Sequence, residues 1–265
     1  MNTSEMLSLF RELGKTAQSI IGDEKNRIST SERNSLGQIS IKADLEIERA
    51  VKRKLLLLNH WLITEEEMEK KNEGAEYIFV MDPLDGSKNY AHGYSPYFFG
   101  ICGMRAKPSP TLADIEVSYA RNLLTHDEYY SLKGKGAFLN KKQLNPSAVN
   151  NDELLFAVDL ANIAKAERRS RICEGLFKLG FIRISGACIA DMCHASSGAL
   201  DAFVDTRNFM HITHASGMAI ALESGAIVTD ADGKRFNAPL AQDTRASIII
   251  AKNKELHKKI MELIS

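Results

Sequence analysis

The sequence predicts a layered α/β fold on the strength of two patterns. Between residues 97 and 132, three short β-prone segments follow one another with polar or proline-containing breaks, which predicts an antiparallel meander. After about residue 150, the predicted order of strand, helix and strand indicates a second α/β layer. We therefore divide the 265 residues into an N-terminal α+β half, 1–150, and a C-terminal α/β half, 151–265.

Two helices precede the meander in the N-terminal half. Apolar residues recur at helical spacing from Met6 to Ile20, and Asp44 is placed to cap the second helix. A polar, glycine-interrupted stretch, 23–38, predicts a loop between them. The predicted elements of this half are helices over 5–21 and 45–59 and strands over 39–41, 77–81, 97–104, 111–119 and 128–132.

The C-terminal half alternates strands and helices. Gly225 follows an apolar-rich helical segment and is a natural helix-terminating glycine. The predicted elements of this half are strands over 154–160, 182–184, 200–204, 227–229 and 246–251 and helices over 163–179, 187–196, 210–223 and 253–264.

The composition is that of an ordinary globular protein. The chain is 44% hydrophobic and 26% charged, and its 34 basic residues balance 34 acidic ones, so no overall field predicts binding to nucleic acid or to an anionic membrane. The longest apolar runs, such as 55–58 and 248–251, are far shorter than the roughly 20 residues of a membrane span. The N-terminus lacks a signal-peptide pattern, so we expect a cytoplasmic location. The four cysteines include no CxxC pair, and we expect reduced, buried thiols.

The stretch from Tyr77 to Gly93 reads YIFVMDPLDGSKNYAHG and carries polar residues in a specific order. Its first five residues are apolar and β-prone, which predicts a buried strand. Pro83 is expected to stop that strand directly after Asp82. Asp82 is therefore predicted to lie at a strand end.

The residues after that strand predict a site for a metal ion and a phosphate. Asp85 places a second carboxylate near Asp82, Gly86 leaves backbone N–H groups open to an anion, and Ser87 adds a hydroxyl. Mg²⁺ binds through one or two carboxylates, waters and substrate phosphate oxygens, so this set matches its needs. A plain Asp-Gly turn is the alternative, and it would be preferred for a bare DxxDG.

The segment MDPLDGS at 81–87 resembles the DP(I/L)DG(T/S) signature of the inositol monophosphatase family. That family comprises Mg²⁺-dependent, lithium-sensitive sugar phosphatases, including archaeal-type fructose-1,6-bisphosphatases. Two weaker blocks agree in order and spacing: GKGAFLN at 134–140 is similar to the family's GxGAFxN, and 183–205 is similar to its R-x-x-G-(S/A) turn, helix and G-x-x-D strand. The resemblance covers roughly residues 44 to 232.

This resemblance implies a sugar-phosphatase-type fold, an alternating α-β-α-β-α sandwich, and Mg²⁺-dependent hydrolysis of a small phosphate monoester. Inositol 1-phosphate and fructose 1,6-bisphosphate are the implied substrates, and a homodimer is the implied assembly. The implied metal ligands are Glu65, Asp82, the Leu84 carbonyl and Asp85, and the implied catalytic residues are Glu65, Asp85 and Ser87. The implied substrate-binding residues are Gly86, Ser87, Gly186, Ala187 and Asp205.

Two places depart from the family's pattern. Its Gly-Glu-Glu aligns with 64–66, and we take Glu65 rather than Glu66 as the ligand, although a third glutamate, Glu67, leaves the register open by one residue.

The family's Trp-Asp block falls on 212–213, where Thr213 replaces the metal-binding Asp and predicts a raised Mg²⁺ requirement. His211 and His214 flank this position, and either is an alternative ligand in place of the missing Asp. Imidazole suits Zn²⁺ or other transition metals better than Mg²⁺, so we expect a surface or capping role for each.

Three other interpretations are weighed against hydrolysis of a sugar phosphate. DADG at 230–233 matches the nucleophile loop of haloacid-dehalogenase-type phosphatases, but only 32 residues follow it, so an Asp-Gly hairpin turn explains it better. A catalytically weakened homologue that binds a metabolite or serves as a scaffold is favoured by the missing Asp. A 3'(2'),5'-bisphosphate nucleotidase would share the Asp motif and needs a base-sized pocket.

Overall fold

The computed structural model describes residues 1–34, 39–66, 70–71, 74–150, 152–160 and 166–264. These residues form five alternating layers, with helices outside, between and beyond two β-sheets. The predicted α-β-α-β-α sandwich is therefore confirmed. Residues 67 and 163–165, which carry parts of the predicted acidic cluster and of a predicted helix, lie outside the described residues.

The first layer consists of two helices, α1 (Thr3–Ile21) and α2 (Lys42–Leu55). A small antiparallel pair of strands, β1 (Ser29–Arg33) and β2 (Ile39–Ile41), precedes α2. The predicted loop over 23–38 thus contains a strand. Helix α2 begins three residues before its predicted start, because Asp44 acts from inside the helix and accepts the Ile41 N–H at 3.1 Å. It also ends earlier than predicted, at Leu55.

The second layer is an eight-stranded sheet in the order β10-β9-β8-β7-β6-β5-β3-β4. Its strands are β3 (His60–Thr64), β4 (Lys70–Lys71), β5 (Tyr77–Asp85), β6 (Phe98–Arg105), β7 (Val117–Asn122), β8 (Glu128–Leu132), β9 (Gly136–Leu139) and β10 (Lys142–Gln143). Strands β5 to β10 are antiparallel neighbours in chain order, which confirms the predicted meander. Apolar side chains of α1 and α2 pack on one face of this sheet.

The sequence predicted that strand β5 stops at Pro83. In the structure the strand continues to Asp85. Asp82 is paired with Gly100 and Asp85 with Phe98, and the register shifts between these two pairs. Pro83 lies inside this irregular step, where its missing N–H breaks no regular ladder hydrogen bond. The irregularity leaves Asp82 and Asp85 buried together at one end of the strand.

The remaining layers are built from the second sheet and its helices. The five-stranded sheet has the order β12-β11-β13-β15-β14. Its strands are β11 (Leu154–Val158), β12 (Gly180–Arg183), β13 (Ala202–His211), β14 (Ile227–Thr229) and β15 (Arg245–Ala251). The helices after α2 are α3 (Ser87–Ala91), α4 (Ala166–Phe177), α5 (Cys188–Ser197), α6 (Ala215–Glu223) and α7 (Lys254–Ile264).

Helices α5 and α6 form the central layer and contact strands of both sheets, while α4 and α7 pack on the outer face of the five-stranded sheet. The central layer belongs to the C-terminal part of the chain yet completes the core of the N-terminal sheet. The division at residue 150 stays a prediction.

The helix predicted from residue 210 begins at Ala215 instead. Met210 and His211 are still strand residues and pair with Ala246 and Arg245 of β15. Pairing with a neighbouring strand therefore overrides the helical pattern at this point, and a 3-10 turn, Ile212–His214, joins the strand to α6.

The structure also bears on the cysteines and on the DADG segment. All four cysteines are free; three are buried as predicted, whereas Cys173 is only half-buried. The DADG segment is a hairpin turn, closed by hydrogen bonds between Asp230 and Lys234 and with Gly233 at a positive φ of 77°. Within the described residues, no helix has the length and apolarity to cross a membrane.

Candidate active site

A cavity of about 350 Å³ opens where β5 ends, between the two sheets. Its lining brings acidic, glycine and histidine residues together with one arginine and one lysine. The lining residues are Glu65, Asp82, Leu84, Asp85, Gly86, Ser87, Lys88, Asp159, Ile184, Gly186, Cys188, Arg207, Phe209, Met210, His211 and His214. Most residues predicted for the site thus share one cavity.

Backbone hydrogen bonds fix the two aspartates of the MDPLDGS segment. Asp82 Oδ1 accepts the Leu84 N–H at 2.9 Å. Asp85 Oδ2 accepts the Ala190 N–H at 3.0 Å, in the first turn of α5, so this carboxylate also serves a helix N-terminus. Both aspartates line the cavity.

Gly86 is required where it stands. Its φ is 81°, a conformation that favours glycine, and a Cβ there would lie 2.7 Å from the Pro96 carbonyl oxygen and 3.0 Å from the Ala187 Cβ. The close approach packs the start of α3 against the start of α5. Ser87 follows as the first residue of α3 and lines the cavity.

The two glutamates after β3 point to different surroundings. Glu65 lines the cavity beside Asp82 and accepts a hydrogen bond from Asn34 Nδ2 at 3.2 Å. Glu66 is buried, accepts a hydrogen bond from the Ser40 hydroxyl, and does not line the cavity. The geometry therefore favours the register in which Glu65 is the ligand.

Burial and mutual repulsion raise the pKa values of the cavity carboxylates. Burial, followed by the charge of Asp82, raises the pKa of Glu65 to about 8. Burial raises the pKa of Asp82 to about 7 although its hydrogen bond from Leu84 acts in the opposite direction. Burial together with the charge of Asp82 raises the pKa of Asp85 to about 7. A cation among these groups would favour their charged forms.

The turn at 212–214 presents a histidine to the acidic cluster, and Thr213 faces elsewhere. His214 Nε2 lies 3.3 Å from Asp82 Oδ2. Thr213 is fully buried, and its hydroxyl is 2.8 Å from His211 Nδ1. The expectation of a surface or capping role is thus wrong for His214, because the turn directs its ring into the cavity. It is right for His211, whose ring accepts the Thr213 N–H and caps the turn.

The opposite wall of the cavity is built around Arg207. Its Nη2 is 2.7 Å from Asp205 Oδ2 and 2.8 Å from Asp159 Oδ2. Its Nε also donates to Asp205 Oδ1 at 2.9 Å, so the pair with Asp205 is bidentate. Burial raises the pKa of Asp205, and the Arg207 guanidinium opposes that shift.

Two of the predicted substrate-binding residues do not line the cavity. Ala187 is buried at the start of α5, and Asp205 lies beneath Arg207 with none of its surface exposed. Gly186 does line the cavity, at a φ of 73°. The substrate-binding roles of Gly186, Ala187 and Asp205 stay predictions.

The donor set fits a divalent cation. One ligand atom each of Glu65, Asp82 and His214 lie within 4.8 Å of one another. Asp85 adds a further buried carboxylate, and Leu84 lies between the two aspartates along the cavity wall. Several carboxylates with raised pKa values facing one space are the electrostatic condition that a bound cation relieves.

Sequence reasoning did not place Arg207 or Asp159 at the site, and it preferred a surface or capping role for His214 over the alternative of a metal ligand. His214 left a signal, since it directly follows the position of the absent carboxylate. Arg207 and Asp159 left none, because their contact depends on the pairing of β11 with β13.

Comparison with known proteins agrees with this geometry. The sequence profile of the inositol monophosphatase family matches residues 2–265. A fructose-1,6-bisphosphatase/inositol-1-monophosphatase of Methanothermobacter thermautotrophicus is 31% identical over 199 residues, which cover 73% of this chain and 70% of that protein. The crystal structure of an inositol monophosphatase–fructose 1,6-bisphosphatase superposes with a TM-score of 0.84 at 25% identity, covering 99% of this chain and 100% of the other.

A second kind of relative is larger. A bifunctional NADP phosphatase/NAD kinase of Methanococcus maripaludis is 28% identical over 288 aligned positions, and the match covers 98% of this chain. This chain spans about half of that relative, 49% of its length. The match of the family profile over nearly the whole chain shows that this protein belongs to the inositol monophosphatase family.

Proposed function

We propose that this protein is a metal-dependent phosphomonoesterase that hydrolyses a small sugar or inositol phosphate. The observation that carries the proposal is the group of carboxylates, the half-buried Glu65 and the buried Asp82 and Asp85, that faces one cavity between the sheets. The relatives named as fructose-1,6-bisphosphatase/inositol-1-monophosphatase support this substrate class. Inositol 1-phosphate and fructose 1,6-bisphosphate are the substrates to test first.

Mg²⁺ is the ion that the oxygen donors of the site favour. Glu65, Asp82, Asp85 and the Leu84 carbonyl would hold it. When bound, the ion supplies positive charge that neutralises the phosphate and lowers the pKa of the attacking water. The protein's own share is to keep these carboxylates in a fixed, buried arrangement on β5 and at the end of β3.

The chain supplies further groups for the substrate. The Ser87 hydroxyl would orient the water together with Glu65, and the N–H groups of Gly86 and Ser87 would donate to phosphate oxygens. Gly86 allows this approach because it has no side chain. Lys88 is exposed at the cavity rim and adds a positive charge that attracts a phosphorylated ligand.

On the opposite wall, Gly186 and Arg207 are placed to meet the organic part of the substrate. Asp205 would act through Arg207, whose guanidinium it holds by a bidentate pair, and Ala187 would act by packing against Gly86. We therefore propose that Ala187 and Asp205 influence sugar binding through their neighbours and do not contact the sugar themselves.

A second substrate class is favoured by the cavity mouth. Phe209 and Ile184 line it and are 43% and 61% exposed. An exposed aromatic ring beside a phosphate site suits a substrate that carries a ring of its own, such as a nucleotide. The larger relatives named for NADP phosphatase activity support the same alternative.

Release of inorganic phosphate tests the proposal. Metal-free protein is assayed with inositol 1-phosphate, fructose 1,6-bisphosphate, NADP and adenosine 3',5'-bisphosphate, with and without Mg²⁺ or Mn²⁺. We expect turnover of at least one ester only when a divalent ion is added, and its loss in Asp82→Asn. No turnover of any ester would favour a homologue that only binds metabolites.

The reaction would proceed without a covalent phosphoenzyme, since the MDPLDGS motif supplies metal ligands and no aligned nucleophile. Acid quenching during turnover, followed by mass spectrometry, should find no phosphoaspartate. A phosphorylated Asp82 or Asp230 would contradict this.

The proposed assembly rests on the family resemblance, and the proposed location rests on the sequence alone. The protein is proposed to be a homodimer, and light scattering at micromolar concentration tests it, with a monomer as the contradicting result. The cytoplasmic location stays a prediction from the N-terminal sequence.

A further inference from the structure

The turn at Ile212–His214 brings an imidazole into the acidic end of the cavity. His214 Nε2 lies 3.3 Å from Asp82 Oδ2, and a Glu65 oxygen completes a group of ligand atoms within 4.8 Å of one another. An ion held by this group would have two carboxylate oxygens and one nitrogen as protein ligands.

A network of hydrogen bonds fixes the turn so that His214, and not Thr213, faces the acids. The Thr213 hydroxyl is 2.8 Å from His211 Nδ1, and His211 Nε2 is 2.7 Å from the Gln242 carbonyl oxygen. The Gln242 side chain in turn donates to the Thr64 carbonyl oxygen at 2.9 Å, next to Glu65. These contacts connect the turn to the end of β3, which Glu65 directly follows.

The contacts of the His214 ring among the described residues are incomplete for a structural histidine. Its distance to Asp82 is longer than the about 2.7 to 2.9 Å of a charge-assisted hydrogen bond. Its Nδ1 is buried and has no hydrogen-bond partner among the described residues. Buried structural histidines normally satisfy both ring nitrogens, so this ring lacks the contacts of a purely structural residue.

The chemistry of the nitrogen ligand then decides which ion is favoured. Mg²⁺ takes oxygen ligands and retains water, whereas imidazole is a good ligand for first-row transition ions. We propose that the position formed by Glu65, Asp82 and His214 selects a divalent first-row transition ion such as Mn²⁺ over Mg²⁺. The proposal rests on the proposed function only in treating the cavity as a metal centre, and ion binding is measurable without substrate.

Pulsed electron paramagnetic resonance tests the ligand directly. Mn²⁺ is added at less than one equivalent to the metal-free protein, and the spin-echo modulation reports any directly bound nitrogen. We expect a ¹⁴N coupling in the wild type and its loss in His214→Asp. Absence of the coupling in the wild type, or its persistence in the variant, would overturn the proposal.

Calorimetry tests the selectivity. The Kd values of Mn²⁺ and Mg²⁺ are measured for the wild type, His214→Asp and His126→Asn, a control at an exposed histidine with a φ of 69° that asparagine tolerates. We expect His214→Asp to reduce the preference for Mn²⁺ about tenfold or more, because aspartate restores an oxygen ligand. The control should keep the wild-type ratio.

An unchanged ratio in His214→Asp would refute the proposal. If His214→Asp does not fold, His214→Asn takes its place in both experiments. The ¹⁴N coupling of the wild type needs no variant and tests the proposal by itself. A protein that binds Mn²⁺ through nitrogen but hydrolyses no ester would refute the proposed function and keep this inference. An enzyme that is active with Mg²⁺ but shows no nitrogen coupling would support the proposed function and refute this inference.

Discussion

Both ends of the cavity contain buried carboxylates, but only one end supplies its own cation. Arg207 forms ion pairs with Asp159 and Asp205 at the C-terminal wall. At the acidic end, no lysine or arginine among the described residues forms an ion pair with Asp82 or Asp85. The first group is neutralised within the protein, and the second requires charge from solution. Buried acids therefore indicate a metal site only where no side chain already neutralises them.

Removing the internal cation should have the largest effect. Arg207→Met removes the cation from the fully buried Asp205 and from the half-buried Asp159, and we expect the free energy of unfolding to fall by about 3 to 5 kcal/mol. Urea unfolding at pH 7 measures it. Arg105→Met, at an exposed arginine, is the matched control and should change stability by less than about 0.5 kcal/mol. Equal stability of the two variants would show that the ion pairs of Arg207 with Asp159 and Asp205 do not stabilise the fold.

At the acidic end, the expected loss is in catalysis rather than in stability. Asp85→Asn removes a charge that serves the ion but keeps an oxygen to accept the Ala190 N–H. We expect kcat to fall about 100-fold or more, with the thermal unfolding temperature nearly unchanged. Asp232→Asn, at an exposed residue of the hairpin turn, should retain full activity. Undiminished kcat in Asp85→Asn would remove this residue from the site.

The two neighbouring turn residues should respond oppositely to a new carboxylate. Thr213 is fully buried against His211, so Thr213→Asp should cost about 2 kcal/mol of stability and leave the half-saturating Mg²⁺ concentration unchanged. His214→Asp should lower that concentration. The rate is measured against Mg²⁺ for both variants. A lower Mg²⁺ requirement in Thr213→Asp would mean that residue 213 reaches the ion.

Without an ion, the acidic end should make stability depend on pH. The folded-state pKa values of Glu65, Asp82 and Asp85 are raised, to about 8, 7 and 7. The folded protein therefore binds more protons than the unfolded chain, and stability present at low pH is lost as the pH rises through these values.

We expect the unfolding temperature in chelator to fall between pH 5 and pH 8.5, by about 2 to 4 °C for each kcal/mol lost. Added Mn²⁺ should reverse the fall at the higher pH. A profile that is flat in chelator would contradict the assignment of raised pKa values.

The sequence predicted what depends on local order. The meander follows from short β-prone segments with clear breaks, and the paired aspartates follow from one continuous motif. The path of β5 through Pro83 was not predictable in the same way, because the register shift depends on how β6 pairs with it.

What the sequence could not predict depends on contacts between distant segments. The pattern from residue 210 reads as a helix, and only pairing with β15 extends β13 and forms the turn that presents His214. Arg207 meets Asp159 only because β11 and β13 are neighbours. The resemblance places the missing carboxylate at Thr213, and that alignment stays a prediction; the backbone turn presents His214, and not Thr213, to the acids.

Proton release on ion binding tests most directly whether the acidic end is built to receive a cation. Metal-free protein is titrated with Mn²⁺ at pH 7 by calorimetry in two buffers of different ionisation enthalpy. Because the carboxylates have raised pKa values and must ionise to bind, we predict release of about one proton per ion. Asp82→Asn should reduce the release. Binding whose heat does not depend on the buffer, or no binding at all, would contradict the account.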